Sequence, residues 1–553
     1  MGRDPAADTE TLRAIQRLAQ AGRHAQAAVL AQAARANGLE HPLLYNVLAL
    51  KLEGEGRLTE AEALLRHAVR LAPGDTAAHN ALGLCLLRLE RPAEARAEFE
   101  SVLANDPRLP FAHTNLGTAL FALGRVRDAE ASFTRALELD ERQAMALAGL
   151  ARIASSRGAY AAARSWAETA LELLPGHPDA VLSLVATDIG ERMPRQAEAR
   201  ARELLAREDL HPLSRAYATG LLGDALDAQD RTADAFAAYS SANRMLREVH
   251  APRFDPQPGA LAYARDLGEF LRRADSRHWR AAPPSGHPDP SFAHIFVLGF
   301  LRSGTTLLEV VLEGHPRVVS LEESESLIDG IREFMRRPED LDRLLRASPA
   351  TLDALRDSYW RRVAQEGADV RGKIFVDENP LNTLKLPLIA RLFPKAKILF
   401  ACRDPRDVVL SCFRHRFSMS APTYELLTLE GATAYYDTVM RVLLECTRIL
   451  PLDICLVRHE DVVTAFAREM RRVCEFLGLE WAPAMGDFAL RTPYRETLTP
   501  STAQLVRGLD TEGLGHWHRY RRHLEPVLST LAPWVKQFCY EDSAFMTGPH
   551  PAA

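Results

Sequence analysis

Over about the first 250 residues the apolar and small positions keep helical spacing, and the helical stretches repeat at a fixed interval. Ala27, Ala61, Ala95, Ala129, Ala163 and Ala197 stand 34 residues apart. Leu82-Gly83 and Leu116-Gly117 share that period, softened to Leu48-Ala49 and Leu150-Ala151, and Phe99 and Phe133 sit four residues after the period alanine. Pro73, Pro107 and Pro175 close units, with Glu141 in the slot between. Small residues let paired helices cross closely, and proline stops the second helix of a pair because it lacks an N–H donor. After a slip near 205–215 the phase returns at Leu222-Gly223, Ala235, Tyr239 and Ala242, which makes about seven units. One helix pair cannot cover its own apolar face, so the pairs are expected to stack into a solenoid.

This period resembles the tetratricopeptide repeat. Such a solenoid either recruits a peptide or protein on its concave side or only shields and positions the C-terminal domain, and recruitment is the favoured reading. A helical pattern at 261–271 is expected to cap the array, and the run PPSGHPDP at 283–290 cannot continue a helix and reads as a linker. Beyond about 291 the pattern changes to short β-rich runs at 294–298, 373–376, 397–401 and 454–457, alternating with helical ones. That alternation predicts a parallel sheet covered by helices on both faces. The expected organisation is an all-α solenoid over 1–250, a cap and linker over 251–290, an α/β P-loop-like domain over 291–545 and a tail over 546–553.

Composition narrows the class little further. The 553 residues are 47% apolar and 25% charged, as in folded multidomain proteins, and the net charge of −5 argues against a general grip on nucleic acid or anionic membrane. Seven cysteines, with no C-x-x-C spacing, indicate neither a disulfide framework nor a metal site and are expected as buried thiols. No segment reads as a leader or a membrane helix, so the expected location is cytoplasmic.

Two segments carry chemistry. Residues 296–308, FVLGFLRSGTTLL, read as a strand, a turn bracketed by Gly299 and Gly304, and a helix start. A helix N-terminus leaves N–H groups unpaired and carries about half a positive charge, which suits an anion. The spacing G-x-x-x-x-G-T-T is that of a nucleotide-binding P-loop, but Thr305 stands where the phosphate-reaching lysine belongs, so the expected ligand lacks a γ-phosphate. Taken alone, the segment also fits a plain strand-to-helix connection. The second segment, KILFACRDPRDVVLSCFRHRF at 397–417, is again a strand, followed by Arg403, a helix start at Asp404-Pro405 and Ser411.

RSGTT followed about a hundred residues later by R-D-P-R-D, with a serine eight residues after its first arginine, resembles the sulfotransferases that use 3′-phosphoadenosine 5′-phosphosulfate. The resemblance implies that Arg302, Ser303, Gly304, Thr305 and Thr306 hold the 5′-phosphosulfate as co-substrate and that Arg403 and Ser411 hold the 3′-phosphate. Thr306 also fits an ordinary helix start. Arg302 matches the arginine that approaches the transferring sulfuryl group. Glu323, eight residues after His315, matches the catalytic base of tyrosylprotein sulfotransferases, although Glu322, Glu323 and Glu325 equally fit a solvated acidic run. His459 stands in RHEDV where the family has tyrosine beside the adenosine, a packed structural histidine being the alternative. Ser501 and His516 match a segment that folds over the nucleotide. Asp404, Arg406 and Asp407 are expected to build the second turn and to hold Arg403.

One position departs from the resemblance. Glu378, in VDENPLN, replaces a lysine that aids the leaving group, and an anion beside a phosphosulfate is unfavourable. The resemblance therefore implies a metal-free sulfuryl transfer to a hydroxyl, with peptide tyrosine as a candidate acceptor and a glycan, lipid-linked sugar or small phenol also open. The competing readings are a nucleotide-binding adaptor without activity, supported by Glu378, and a P-loop kinase, opposed by Thr305.

Overall fold

The repeat glycines are small because aromatic rings lie against them. A Cβ on Gly83 would sit 2.5 Å from the Phe99 ring, and one on Gly117 or Gly149 would sit 2.7 or 2.6 Å from Phe133. Ala27, Ala61, Ala95, Ala129 and Ala163 are fully buried where the helices cross. Pro92 and Pro110 open helices Pro92–Asn105 and Pro110–Ala122, where a missing N–H has no consequence. The structure, a computed structural model, describes residues 5–280, 289–492 and 502–540. Most of the expected linker, Ser501 and the tail lie outside the described residues.

The chain divides into two compact units after Thr187, inside the repeat array rather than near residue 250. The repeat helices Pro212–Asp227 and Thr232–Phe254 thus belong to the second unit. They keep the same packing device, since a Cβ on Gly223 would lie 2.5 Å from the Tyr239 ring. Their polar groups reach the α/β part: Asn243 Nδ2 donates to Phe413 O (2.8 Å), Arg414 pairs with Asp227 (2.6 Å) and Arg416 with Asp224 (2.5 Å). Helix Ala260–Arg273, expected as a cap on the solenoid, packs along Leu429–Ile449. Leu261 N donates to Glu425 (3.1 Å) and Arg448 to Leu271 O (3.0 Å).

Within the second unit five strands form one parallel sheet: β1 (Ala293–Leu298), β2 (Val318–Glu322), β3 (Ile374–Glu378), β4 (Lys397–Cys402) and β5 (Asp453–Arg458), in the order β2-β3-β1-β4-β5. β1, β3 and β4 are buried almost end to end, as strands covered on both faces must be. On one face Val297, Val376, Leu399 and Val457 meet Leu308, Val311 and Leu312 of helix Thr305–Glu313. On the other, Phe296 and Phe375 meet Tyr359, with Phe393 against Phe296. β2 was not among the expected strands, its residues 318–322 leading directly into Glu322, Glu323 and Glu325, which also fit a solvated acidic run. Six of the seven cysteines are buried and unbridged, whereas Cys539 is exposed. Among the described residues no helix is long and apolar enough to cross a membrane.

Candidate active site

The loop after β1 is shaped by backbone conformations that few residues tolerate. Gly304 caps helix Thr305–Glu313 at φ 97°, and Arg302 holds φ 67°, a left-handed conformation that costs a non-glycine residue about 1–3 kcal/mol. At Gly299 a Cβ would lie 2.7 Å from Ala401 O, so this loop and β4 approach as only glycine permits. The VDENPLN segment pins the loop from the other side. Gly299 N donates to Pro380 O (3.2 Å) and the Thr383 hydroxyl to Gly299 O (2.7 Å). Asp377 faces away from it and accepts from Tyr359 (2.6 Å) and Asn382 (3.3 Å); burial raises its carboxyl to about 7.

The two anion segments meet. Arg302 Nε donates to Ser411 Oγ (3.1 Å), and Arg403 Nη1 donates to Arg302 O (3.5 Å). Arg403 Nη2 donates to Gly513 O, and its buried Nε has no hydrogen-bond partner among the described residues. Burial, with the charges of Arg403 and Arg414, lowers the Arg302 guanidinium to about 10. Gathering like charges in a shielded place is costly, and a bound anion relieves it. Ser303 and Thr305 are buried at the helix start, and Thr306 is half-buried.

His459 lies against this loop: a Cβ on Gly304 would be 2.6 Å from its Nδ1. Burial, Arg403 and Arg302 hold its ring at about 3, so it is neutral at ordinary pH. Ser303, Gly304, Leu307, Ala401, Val457 and His459, among others, line a crevice beside the loop that is too narrow to hold even a water molecule. His516 is held instead by Asp227, its Nε2 lying 3.2 Å from Oδ2. Burial lowers the His516 pKa, and Asp227 opposes that shift.

The sequence alone missed two anchors, Glu460 and Asp227, and did not show what a third, Asp407, holds. Asp404 caps its helix as expected, accepting from Arg406 N (2.9 Å), but Asp407 takes the main-chain N–H groups of Gly515 (2.7 Å) and Trp517 (2.8 Å). Glu460 accepts from Asp404 N (3.0 Å) and from the Tyr540 hydroxyl (2.6 Å). Asp227 gathers Arg414, His516, Arg519 and the Tyr520 hydroxyl (2.7 Å). Its partners lie roughly two to three hundred residues along the chain, beyond any local pattern.

Carboxylates gather on the other side of β1. Glu323 follows β2 at φ 50°, and its N–H donates to Glu378 O (2.6 Å), extending the β2–β3 ladder by one residue. Its side chain reaches water from a wall crowded with protein atoms; that crowding and Glu322 raise its pKa. A base of raised pKa there suits removal of a hydroxyl proton. Glu378 ends β3 at 1% exposure, with neither carboxyl oxygen hydrogen-bonded among the described residues.

With this geometry in place, the chain's similarities agree. Residues 294–483 match the model of the sulfotransferase family, and residues 12–76, 46–110 and 114–178 match that of the tetratricopeptide repeat. The chain therefore joins tetratricopeptide repeats to a sulfotransferase-family domain. It is similar to an uncharacterized protein of Aquifex aeolicus (strain VF5), 24% identical over 59% of this chain and 42% of that protein. It is also similar to protein-tyrosine sulfotransferase A of Caenorhabditis elegans, 22% identical over 45% of this chain and 68% of that protein. Protein-tyrosine sulfotransferase 2 of Gallus gallus is 24% identical over 43% of this chain and 68% of its own length. The chain thus spans less than half of the Aquifex relative and about two-thirds of the other two.

Proposed function

We propose that the chain is a sulfotransferase that moves a sulfuryl group from 3′-phosphoadenosine 5′-phosphosulfate to a hydroxyl, with peptide tyrosine as acceptor and the repeats as its recruiting surface. The observation that carries this reading is the arginine pair bridging the two loops, in which Arg403 bonds carbonyl oxygens and, among the described residues, keeps a buried N–H unsatisfied. Such a donor set fits a ligand with anionic groups at two points. When bound, the donor supplies the sulfuryl group and a phosphate that leaves with the electron pair of the broken bond.

The residues divide the work. Ser303, Gly304, Thr305 and Thr306 offer N–H and hydroxyl donors at a helix start to the 5′ end, and Arg403 with Ser411 takes the 3′ phosphate. Arg302 lies between them and stabilises charge developing on the sulfuryl oxygens. Neutral His459 offers a ring face beside the loop, and His516 and Ser501 belong to the segment proposed to cover the nucleotide. Glu323 removes the acceptor proton. Incubation with labelled phosphosulfate and a host lysate tests the reading. A labelled product supports it; tight binding of adenosine 3′,5′-bisphosphate without product makes the domain a nucleotide-binding adaptor, and neither result overturns both.

A further inference from the structure

Glu378 is the least satisfied ionisable group at the site. It ends β3, the strand next to the central β1, and pairs in register with Val297 on one side and Glu322 on the other. Side chains alternate along a strand, so Glu378 shares a face with Val376, which packs under helix Thr305–Glu313. It therefore points toward the start of that helix, the loop that cradles anions. Thr305, the first residue of the helix, is the neighbour that acts on it to favour its charge. Ligands of parallel sheets lie outside the carboxyl ends of the strands, which is where this side chain ends.

Its charged neighbours are acidic. Burial is the largest influence on Glu378, and Glu322, Glu309 and Glu323 add like charge, so its pKa stands well above the carboxylate range. These influences favour the uncharged acid over the carboxylate, and the acid form carries an O–H donor. Among the described residues neither oxygen makes a well-formed hydrogen bond, although the Thr305 hydroxyl reaches toward them, and buried donors are rarely left so. An arriving anion would supply the missing acceptor and would hold the proton on more firmly.

Resting on the sulfuryl-transfer reading, we propose that Glu378 is a catalytic acid, donating a hydrogen bond and then its proton to the bridging oxygen that leaves with the donor's 5′-phosphate. The bond from sulfur to the acceptor oxygen forms as the bond from sulfur to that bridging oxygen breaks. The acceptor proton goes to Glu323, the Glu378 proton goes to the departing phosphate, and exchange with solvent restores both carboxyls. A buried acid kept neutral so that it can donate is an established device of active sites. It also keeps a donor where the resemblance expects lysine, with the opposite charge logic.

Infrared difference spectra of the full chain test this directly. At neutral pH the wild-type protein should show a protonated-carboxyl stretch that shifts when adenosine 3′,5′-bisphosphate binds and is absent from Glu378→Gln. The same variant, near in shape and able to donate a hydrogen bond but not a proton, should lose about a hundredfold or more in kcat at unchanged unfolding temperature and bisphosphate affinity. Glu378→Lys should retain more turnover than Glu378→Gln. Absence of the band from the wild-type protein, a band indifferent to the bisphosphate, or wild-type kcat in Glu378→Gln would each overturn the proposal. Failure of the underlying reading looks different: no protein, wild-type or variant, then consumes donor, and the proton-transfer step falls with it.

Discussion

β3 and β4 flank the same central strand, yet one ends in Glu378 and the other runs into Arg403. On the β4 side, positive charge is tied down by neighbours: Arg302 to Ser411, Arg403 to two carbonyl oxygens, Arg414 to Asp227. On the β3 side, acidic groups crowd one another, and Glu323 and Glu378 are pushed toward their neutral forms. The difference separates two tasks along one sheet edge. Fixed cations suit holding an anion, whereas carboxyls of raised pKa suit moving protons near neutral pH. The loop after β1, between them, is where both would act on one ligand.

The sharpest way to break this division is to remove a proton carrier and leave the cations intact. Glu323→Ala should lower kcat by about 10²- to 10⁴-fold while the affinity for adenosine 3′,5′-bisphosphate, measured by calorimetry, stays near the wild-type value. Unchanged turnover would remove Glu323 as the base.

Asp227→Ala attacks the support of the cationic side. It strips the buried Arg414 of its carboxylate and takes an acceptor from His516 and the Tyr520 hydroxyl, while Arg519 keeps Asp230. Breaking such a buried pair costs about 3–5 kcal/mol, to be read from urea unfolding of the full chain. A pH series sharpens the test. Burial pushes the Asp227 carboxyl up, but His516, Arg414 and Tyr520 outweigh it and hold it below the carboxylate range. A depressed folded pKa contributes stability that is present above the unfolded carboxylate pKa and lost as pH falls through the folded one. The acid-side decline should therefore flatten in Asp227→Asn.

Arg403→Ala comes next, with a loss of about 10- to 100-fold in bisphosphate affinity, the usual worth of hydrogen bonds to a charged group. Folding should change less than in Asp227→Ala, because the bonds of Arg403 go to main-chain carbonyl oxygens rather than to a buried charge. Binding unchanged in this variant would mean that the second loop does not grip the ligand.

The two sides were not equally legible in the sequence. Gly299 and Gly304 announce themselves because a tight turn needs glycine, whereas Arg403 and Ser411 stand out only through the family resemblance. The repeats were legible for the same local reason, a small residue wherever a ring must fit, as Gly117 shows against Phe133. The acidic side depends on β2, whose pairing with β3 brings Glu322 and Glu323 beside Glu378. Residues 318–323, VVSLEE, run straight into an acidic cluster that reads as a solvated charge run, so the crowding that raises the Glu378 pKa was hidden. Asp227 was hidden by distance, and with it the fact that the late repeats belong to the second unit.

The smallest effect probes the coupling among the carboxyls themselves. Crowding by protein atoms around the solvent-reaching carboxyl is the larger cause of the raised Glu323 pKa and Glu322 the smaller, so Glu322→Gln should lower that pKa without abolishing the shift. A base works deprotonated, so a raised pKa moves the rising limb of the kcat/KM profile to higher pH, and removing the neighbouring charge moves it back. The expected outcome is a limb displaced toward acid with the plateau rate nearly preserved. Arg403→Ala should leave the limb in place while lowering kcat/KM at every pH. A limb that follows Arg403 rather than Glu322 would mean that the cationic side, not the carboxyl cluster, sets the proton affinity of the base.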